Sequence, residues 1–220
     1  TGRTKTLPTG KLDKLGIALV SCSNYAFGFF NAYDAVARDD AVEYVLHTGD
    51  YIYEYAADGW GSTTARKLNR VHIPANEIVT LSDYRQRHAQ YKRDAGSIAM
   101  HAAKPLLALW DDHESTNNPW FGGAQNHQSD EGNWEHRRSA SVRAYYEWMP
   151  IRDPAPGQNP LDLWRNYVFG DLASLITMET RHTARAQQID YSDHIASIKS
   201  MEDAKRFEQD VLGAPNRPMI

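Results

Sequence analysis

Cysteine is nearly missing from this sequence. Cys22 stands alone, so no intrachain disulfide can form. The lone thiol is either a buried small hydrophobe or a reactive or metal-bound sulfur. Long apolar runs are missing as well. No stretch approaches the roughly 20 residues that span a membrane. Thr1 to Lys14 is polar and lacks the apolar segment of a signal peptide. The expectation is therefore a soluble chain with no membrane segment. Basic runs are absent and the formal net charge is −4. No general nucleic-acid-binding surface is indicated, although a small anionic ester can still bind at one focused site. There is no internal repeat, no phosphate-binding glycine loop and no nucleophilic Ser-His pair. His47, His88, His101, His127 and His136 show no coherent zinc spacing.

What is present is ordinary in bulk and rich in rings. The 220 residues are 41% hydrophobic and 24% charged, enough for one sizeable domain with a real core. Six Trp and twelve Tyr argue against disorder. Ile17 to Val20, Tyr44 to Leu46 and Pro105 to Trp110 are short apolar runs and predict buried strands. Gly28 to Arg38 predicts a helix. Leu81 to Ala95 predicts another, capped by Ser82, with His88 on its buried side. Asn133 to Met149 predicts a third, with Trp134, Arg138, Ser141, Tyr145 and Trp148 at helical spacing. Tyr55 to Ile78 and Trp110 to Gly132 read as loops, and Asp153 to Pro160 as a linker or turn. Leu163 to Phe169 and Leu172 to Met178 flank Gly170-Asp171, the pattern of a hairpin with a two-residue turn. Strands alternating with amphipathic helices indicate an α/β layered fold, with chemistry at the carboxyl ends of the strands.

Those three ends carry unusual residues. Val20 leads into Ser21-Cys22-Ser23-Asn24. Leu46 leads into His47-Thr48-Gly49-Asp50-Tyr51-Ile52-Tyr53-Glu54. Leu109 leads into Trp110-Asp111-Asp112-His113-Glu114. If the strands are neighbours, a thiol, a phenol, an imidazole and several carboxylates converge. Bunched carboxylates repel one another unless a cation sits between them. Thiolate and phenolate suit a redox-capable metal, and carboxylate or amide oxygens suit calcium, magnesium or manganese. The residue types thus suggest a mixed site for two or more ions. Each group also has a plain structural use: Cys22 and Tyr53 as core, Asp50 as a turn residue, Asp111 to Glu114 as a loop opening or helix cap. Among the arginines, Arg138, Arg143, Arg181 and Arg185 are candidates for phosphate contact. A helix face for Arg138 and Arg143, and an ion pair for Arg181, are the simpler uses. Trp120, Trp134 and Tyr145 read as core or pocket wall.

The blocks VSCSNYAFGFFNAYDAVA, LHTGDYIYEY, LSDYRQRHAQYKRD, LWDDHESTNN, RRSASVRAYYEWMPIR, LWRNYVFGDLASLITMETR and ARAQQIDY occur in that order. Together they resemble the alkaline phosphatase D (PhoD-like) family, within the metallophosphoesterase group, over nearly the whole chain. GDYIYE and WDDHE are the most specific. The resemblance implies a metallophosphoesterase-like sandwich of two mixed β-sheets flanked by helices. It also implies an exported enzyme, periplasmic or secreted, that hydrolyses phosphate esters by metal-activated hydroxide with Fe3+ and Ca2+. Carried over residue by residue, Cys22 and Tyr53 match the iron ligands and Asp50 the carboxylate bridging two metals. Asp112 falls to the second metal, with Asp111 and Asn117 as further candidates on the calcium side. His113 matches a catalytic position beside the leaving group, or orients Asp112.

The family's later glycine-aspartate-histidine block is not found here. Residues 1-14 look like a linker from an immunoglobulin-like domain. Residues 15-220 then form the N-terminal part of the catalytic domain, and Ala214 to Ile220 does not resemble a natural end. The missing C-terminal part is expected as the rest of a longer protein or as a second chain. Two other readings stay open: a phospholipase-type diesterase of the same fold, and a non-enzymatic calcium-dependent binding module.

Overall fold

The structure, a computed structural model, describes residues 2–183, 185–189 and 191–212. Strands β1 (Ile17–Val20), β2 (Tyr44–His47) and β3 (Leu106–Ala108) form one parallel sheet in that order. Ile17 pairs with Tyr44 and Val20 with His47, and Val45 pairs with Leu106. Helix α1 (Asn31–Arg38) makes the first crossover. Helices α2 (Ser62–Leu68), α3 (Leu81–Tyr91) and α4 (Ala95–Ala103) lie within the second. Parallel strands joined by such crossovers all end on one edge, so the three polar segments after them emerge side by side.

Alternation along the strands builds two cores. Val45, Leu106 and Ala108 face the larger one, with Phe30, Tyr33, Tyr84, Tyr91 and Tyr145. Tyr44 and Leu107 face the other way and meet Phe169. This second face is covered by a hairpin of β6 (Arg165–Phe169) and β7 (Ala173–Thr177). A small ribbon of β4 (Pro119–Trp120) and β5 (Gly123–Ala124) precedes helix α5 (Trp134–Trp148), which packs on α3. The α/β class is as expected. Among the described residues it takes the form of one parallel sheet and two antiparallel pairs.

Several boundaries differ from expectation for identifiable reasons. Helix α1 starts at Asn31, not Gly28, because Gly28 is fully extended. Thr80, not Ser82, caps α3: its hydroxyl accepts from Asp83 N–H while the Asp83 carboxylate accepts from Thr80 N–H. The expected Leu81–Ala95 helix ends at Tyr91, and a further helix, α4, begins at Ala95, where Asp94 accepts from Gly96 and Ser97 N–H. The loop around residues 55–78 contains α2, and the 110–132 loop contains the β4–β5 ribbon. On α5 it is Arg137, not Arg138, that is buried. Phe169 pairs with Ala173, so the hairpin turn holds Gly170, Asp171 and Leu172 rather than two residues. The expectation about Ala214 to Ile220 lies outside the described residues.

Candidate metal centre

The end of β1 and the end of β2 are locked together first. Cys22 N–H donates to Gly49 C=O at 3.3 Å and Ser23 N–H to Asp50 C=O at 3.3 Å. Both Cys22 and Asp50 have positive φ, 56° and 55°. Cysteine rarely adopts this left-handed region, and such residues cluster at functional sites. Gly49, with φ of 105°, is required on two counts. A Cβ there would stand 2.3 Å from Asp111 Cβ, so only glycine lets the third strand end approach.

The side chains then converge on Asp50. Cys22 Sγ–H donates to Asp50 Oδ2 at 3.5 Å, and the Tyr53 hydroxyl donates to the same oxygen at 3.2 Å. On the other side His113 N–H donates to Asp50 Oδ1 at 3.4 Å. Asp50, Asp112 and His113 each place a donor atom within 4.8 Å of the others. All three are buried, as is Tyr53, whereas Cys22 is exposed. The Tyr53 and His113 rings lie 4.2 Å apart.

Two carboxylates that the sequence reading passed over hold this group. Glu54 is fully buried and pairs with His113 Nδ1 at 2.6 Å. It also accepts from Thr116 Oγ1–H, Asn117 N–H and Asn126 Nδ2–H. Glu114, also fully buried, accepts from the N–H groups of Asp50, Tyr51 and Asp111. It thereby clasps the ends of β2 and β3. Both belong to the quoted motifs, which was the available signal. Their partners lie about sixty residues away, and motif spacing does not show that.

The other candidates fall at the rim. Arg181 donates to Asp111 Oδ1 at 2.6 Å and to Asp112 Oδ1 at 3.2 Å. Its ion pair thus belongs to the site rather than to a remote surface. Asn117 stands beside the cluster: its N–H donates to Glu54 Oε1 at 2.8 Å and its Nδ2–H to Gln125 Oε1 at 2.7 Å. Arg138 donates to Phe121 C=O and Arg143 pairs with Glu147, away from the cluster. Trp134 and Tyr145 are buried core, and Trp120 is half-buried in β4.

The electrostatics point one way. Burial pushes the Asp50 carboxyl up, against the pull of His113 and with the push of Asp112 and Asp111. Burial likewise raises the Cys22 thiol and the Tyr53 phenol, and Asp50 adds to both. Burial pulls the His113 imidazole down, but its hydrogen bond and charge contact with Glu54 outweigh this and push it up to about 9. Protein alone therefore favours protonated Cys22 and Tyr53. A cation among their donor atoms reverses that preference. A thiol and a phenol converge on one oxygen of Asp50, and Asp112 and His113 bring further donor atoms within 4.8 Å of that carboxylate. The donor set therefore fits a bound metal.

Known proteins place this geometry in context. The family model described as PhoD-like phosphatase matches residues 17–218. Alkaline phosphatase D of Bacillus subtilis (strain 168) is 38% identical over 222 residues, covering 100% of this chain and 35% of that protein. A solved structure titled "Structure of PhoD" superposes with a TM-score of 0.72 at 32% identity, covering 98% of this chain and 42% of that one. The chain thus spans well under half the length of these relatives. A parallel sheet with the metal-capable group Asp50, Asp112 and His113 at its carboxyl edge and a family match over nearly its whole length lead to one conclusion: the chain belongs to the PhoD-like phosphatase family.

Proposed function

We propose that this chain supplies the first half of the active site of a metal-dependent phosphoric ester hydrolase. The observation that carries the reading is Asp50. One carboxylate oxygen faces Cys22 and Tyr53, and the other faces the His113 backbone beside Asp112. A carboxylate with its two oxygens facing opposite ways would be able to serve two ions. Cys22, Tyr53 and Asp50 would hold Fe3+, because thiolate and phenolate donate strongly to a hard, redox-capable ion. Asp112 would hold Ca2+ on the other side, with Asp111 and Asn117 as peripheral candidates. Bound metals would supply positive charge for the phosphoryl oxygens and an activated water as nucleophile.

The chain's own residues do the rest. Glu54 holds Nδ1 of His113, leaving Nε2, 4.0 Å from Asp112 Oδ2, to serve the leaving-group oxygen. Arg181 spreads its charge over Asp111 and Asp112 and keeps both carboxylates aimed at the centre. Glu114 fixes the backbone of Asp50 and Asp111.

The rest of the catalytic domain belongs to chain beyond these residues, as one polypeptide or a companion. The relatives are more than twice as long, and Ile17 and Leu19 on the outer face of β1 stay exposed. An exported setting is part of the same proposal and rests on family membership. No helix among the described residues is long and apolar enough to cross a membrane. The test is turnover of aryl phosphate mono- and diesters by the full-length protein and by Asp50→Asn. Hydrolysis by the first and not the second supports the reading. An Asp50→Asn protein with full turnover contradicts it.

A further inference from the structure

On the Cys22 side the centre opens into a cavity of about 460 Å3. Cys22 and Tyr53 line the cavity and also touch Asp50, so anything seated there lies next to the Asp50 cluster. No lysine, arginine or carboxylate lines it. Its outer wall is Phe27, Phe29 and Trp60, which are 44%, 58% and 54% exposed. Large aromatic rings are normally where burial is greatest, so three exposed together beside a charged centre call for an occupant.

The wall is braced rather than loose. The Trp60 ring lies 4.7 Å from Phe27, 5.4 Å from Tyr55 and 6.0 Å from Tyr53. Gly61 has φ of 85°, and a Cβ there would stand 2.7 Å from the Phe27 ring. Behind Phe29, the Arg70 guanidinium sits 4.6 Å from its ring and 3.6 Å from that of Tyr25. Arg70 is itself fixed by a buried ion pair with Asp94 at 2.8 Å. A fixed wall loses little entropy when a ligand lands on it, which is the condition for affinity from a small apolar contact.

We propose that this wall is the subsite for the organic arm of the substrate, and that Trp60 and Phe29 select phosphate esters whose arm is planar or apolar over those with a polyol arm. The proposal rests on the phosphoesterase reading and deepens it. A cavity with no cationic side chain does not take the phosphoryl group, which stays at the Asp50 cluster. The adjoining rings take what is bonded to it, by stacking worth about tenfold or more in affinity per ring.

The test compares kcat/KM for phenyl phosphate and glycerol phosphate in the full-length, metal-loaded protein, and in Trp60→Ala, Phe29→Ala and Trp60→Tyr. Binding of phenylphosphonate by calorimetry gives a readout independent of turnover, and metal content and Tm control for folding. The phenyl-to-glycerol ratio is expected to fall about tenfold in Trp60→Ala and to recover in Trp60→Tyr. Phenylphosphonate binding should weaken by a similar factor. A ratio that does not move, or a parallel loss on both esters with a lowered Tm, overturns the subsite and makes the wall a packing surface for the rest of the protein. A full-length protein that hydrolyses neither ester overturns the phosphoesterase reading itself.

Discussion

Two acidic clusters in this chain are handled in different ways. Around Arg137, the guanidinium donates to Glu77 at 2.8 Å, Glu131 at 3.2 Å and the Tyr84 hydroxyl at 3.2 Å. Its side chain is wholly buried and its charge meets theirs. Around Asp50 the acids gather with a thiol and a phenol, and the positive groups near them among the described residues are His113, Arg181 at the rim and Arg185 farther out. In the first cluster a buried guanidinium donates directly to both carboxylates and holds α5 to the loops before it. In the second, the hydrogen bonds that Asp50 receives among the described residues come from a thiol, a phenol and a backbone N–H rather than from a cation. A carboxylate gripped by a guanidinium is satisfied by the chain itself. One without such a partner is a candidate for an ion from outside.

Opposite responses to substitution would sharpen this contrast. Asp50→Asn removes a carboxylate that burial already disfavours, so the metal-free protein should keep its Tm or gain slightly. Turnover should fall by about a thousandfold or more. Arg137→Leu strands Glu77 and Glu131 and should destabilise by about 3–5 kcal/mol in denaturant titrations. If Asp50→Asn unfolds the protein while Arg137→Leu is neutral, the contrast is broken.

A third substitution lies between them. Glu54 touches no proposed metal and acts through His113, so Glu54→Gln should reduce kcat about 10- to 100-fold while KM changes little. The smallest effect concerns His88, whose ring nitrogens find no partner among the described residues. Burial lowers its pKa from 6.5 to about 3. Below pH 6.5 the unfolded chain takes up a proton that the folded chain refuses, so stability is lost as pH falls from about 6.5 toward 3. Between pH 7 and 5.5 the wild type should lose about 1 kcal/mol more than His88→Phe, read from denaturant midpoints.

The strands and their three polar ends were legible because each couples a short apolar run to a polar break, and parallel pairing turns sequence order into convergence. Cys22, Asp50, Tyr53, Asp112 and His113 could therefore be expected near one another from the sequence, and the roles proposed for them came from the family resemblance. Glu54 and Glu114 could not be given roles, since their partners come from strands about sixty residues away. Arg137 was hidden by helix phase: a shift of one residue put Arg138 on the inner face of α5. Asp94 lay inside an apparently continuous helical pattern, and only its side chain capping Gly96 and Ser97 divides α3 from α4.

The central claim is that the Cys22–Asp50–Tyr53 cluster is assembled for a metal. Elemental mass spectrometry of the purified full-length protein, wild type beside Asp50→Asn, tests it most directly. The account predicts near-stoichiometric iron together with calcium in the wild type, and loss of both in the variant. Calcium without iron, or iron retained in full by Asp50→Asn, would contradict it.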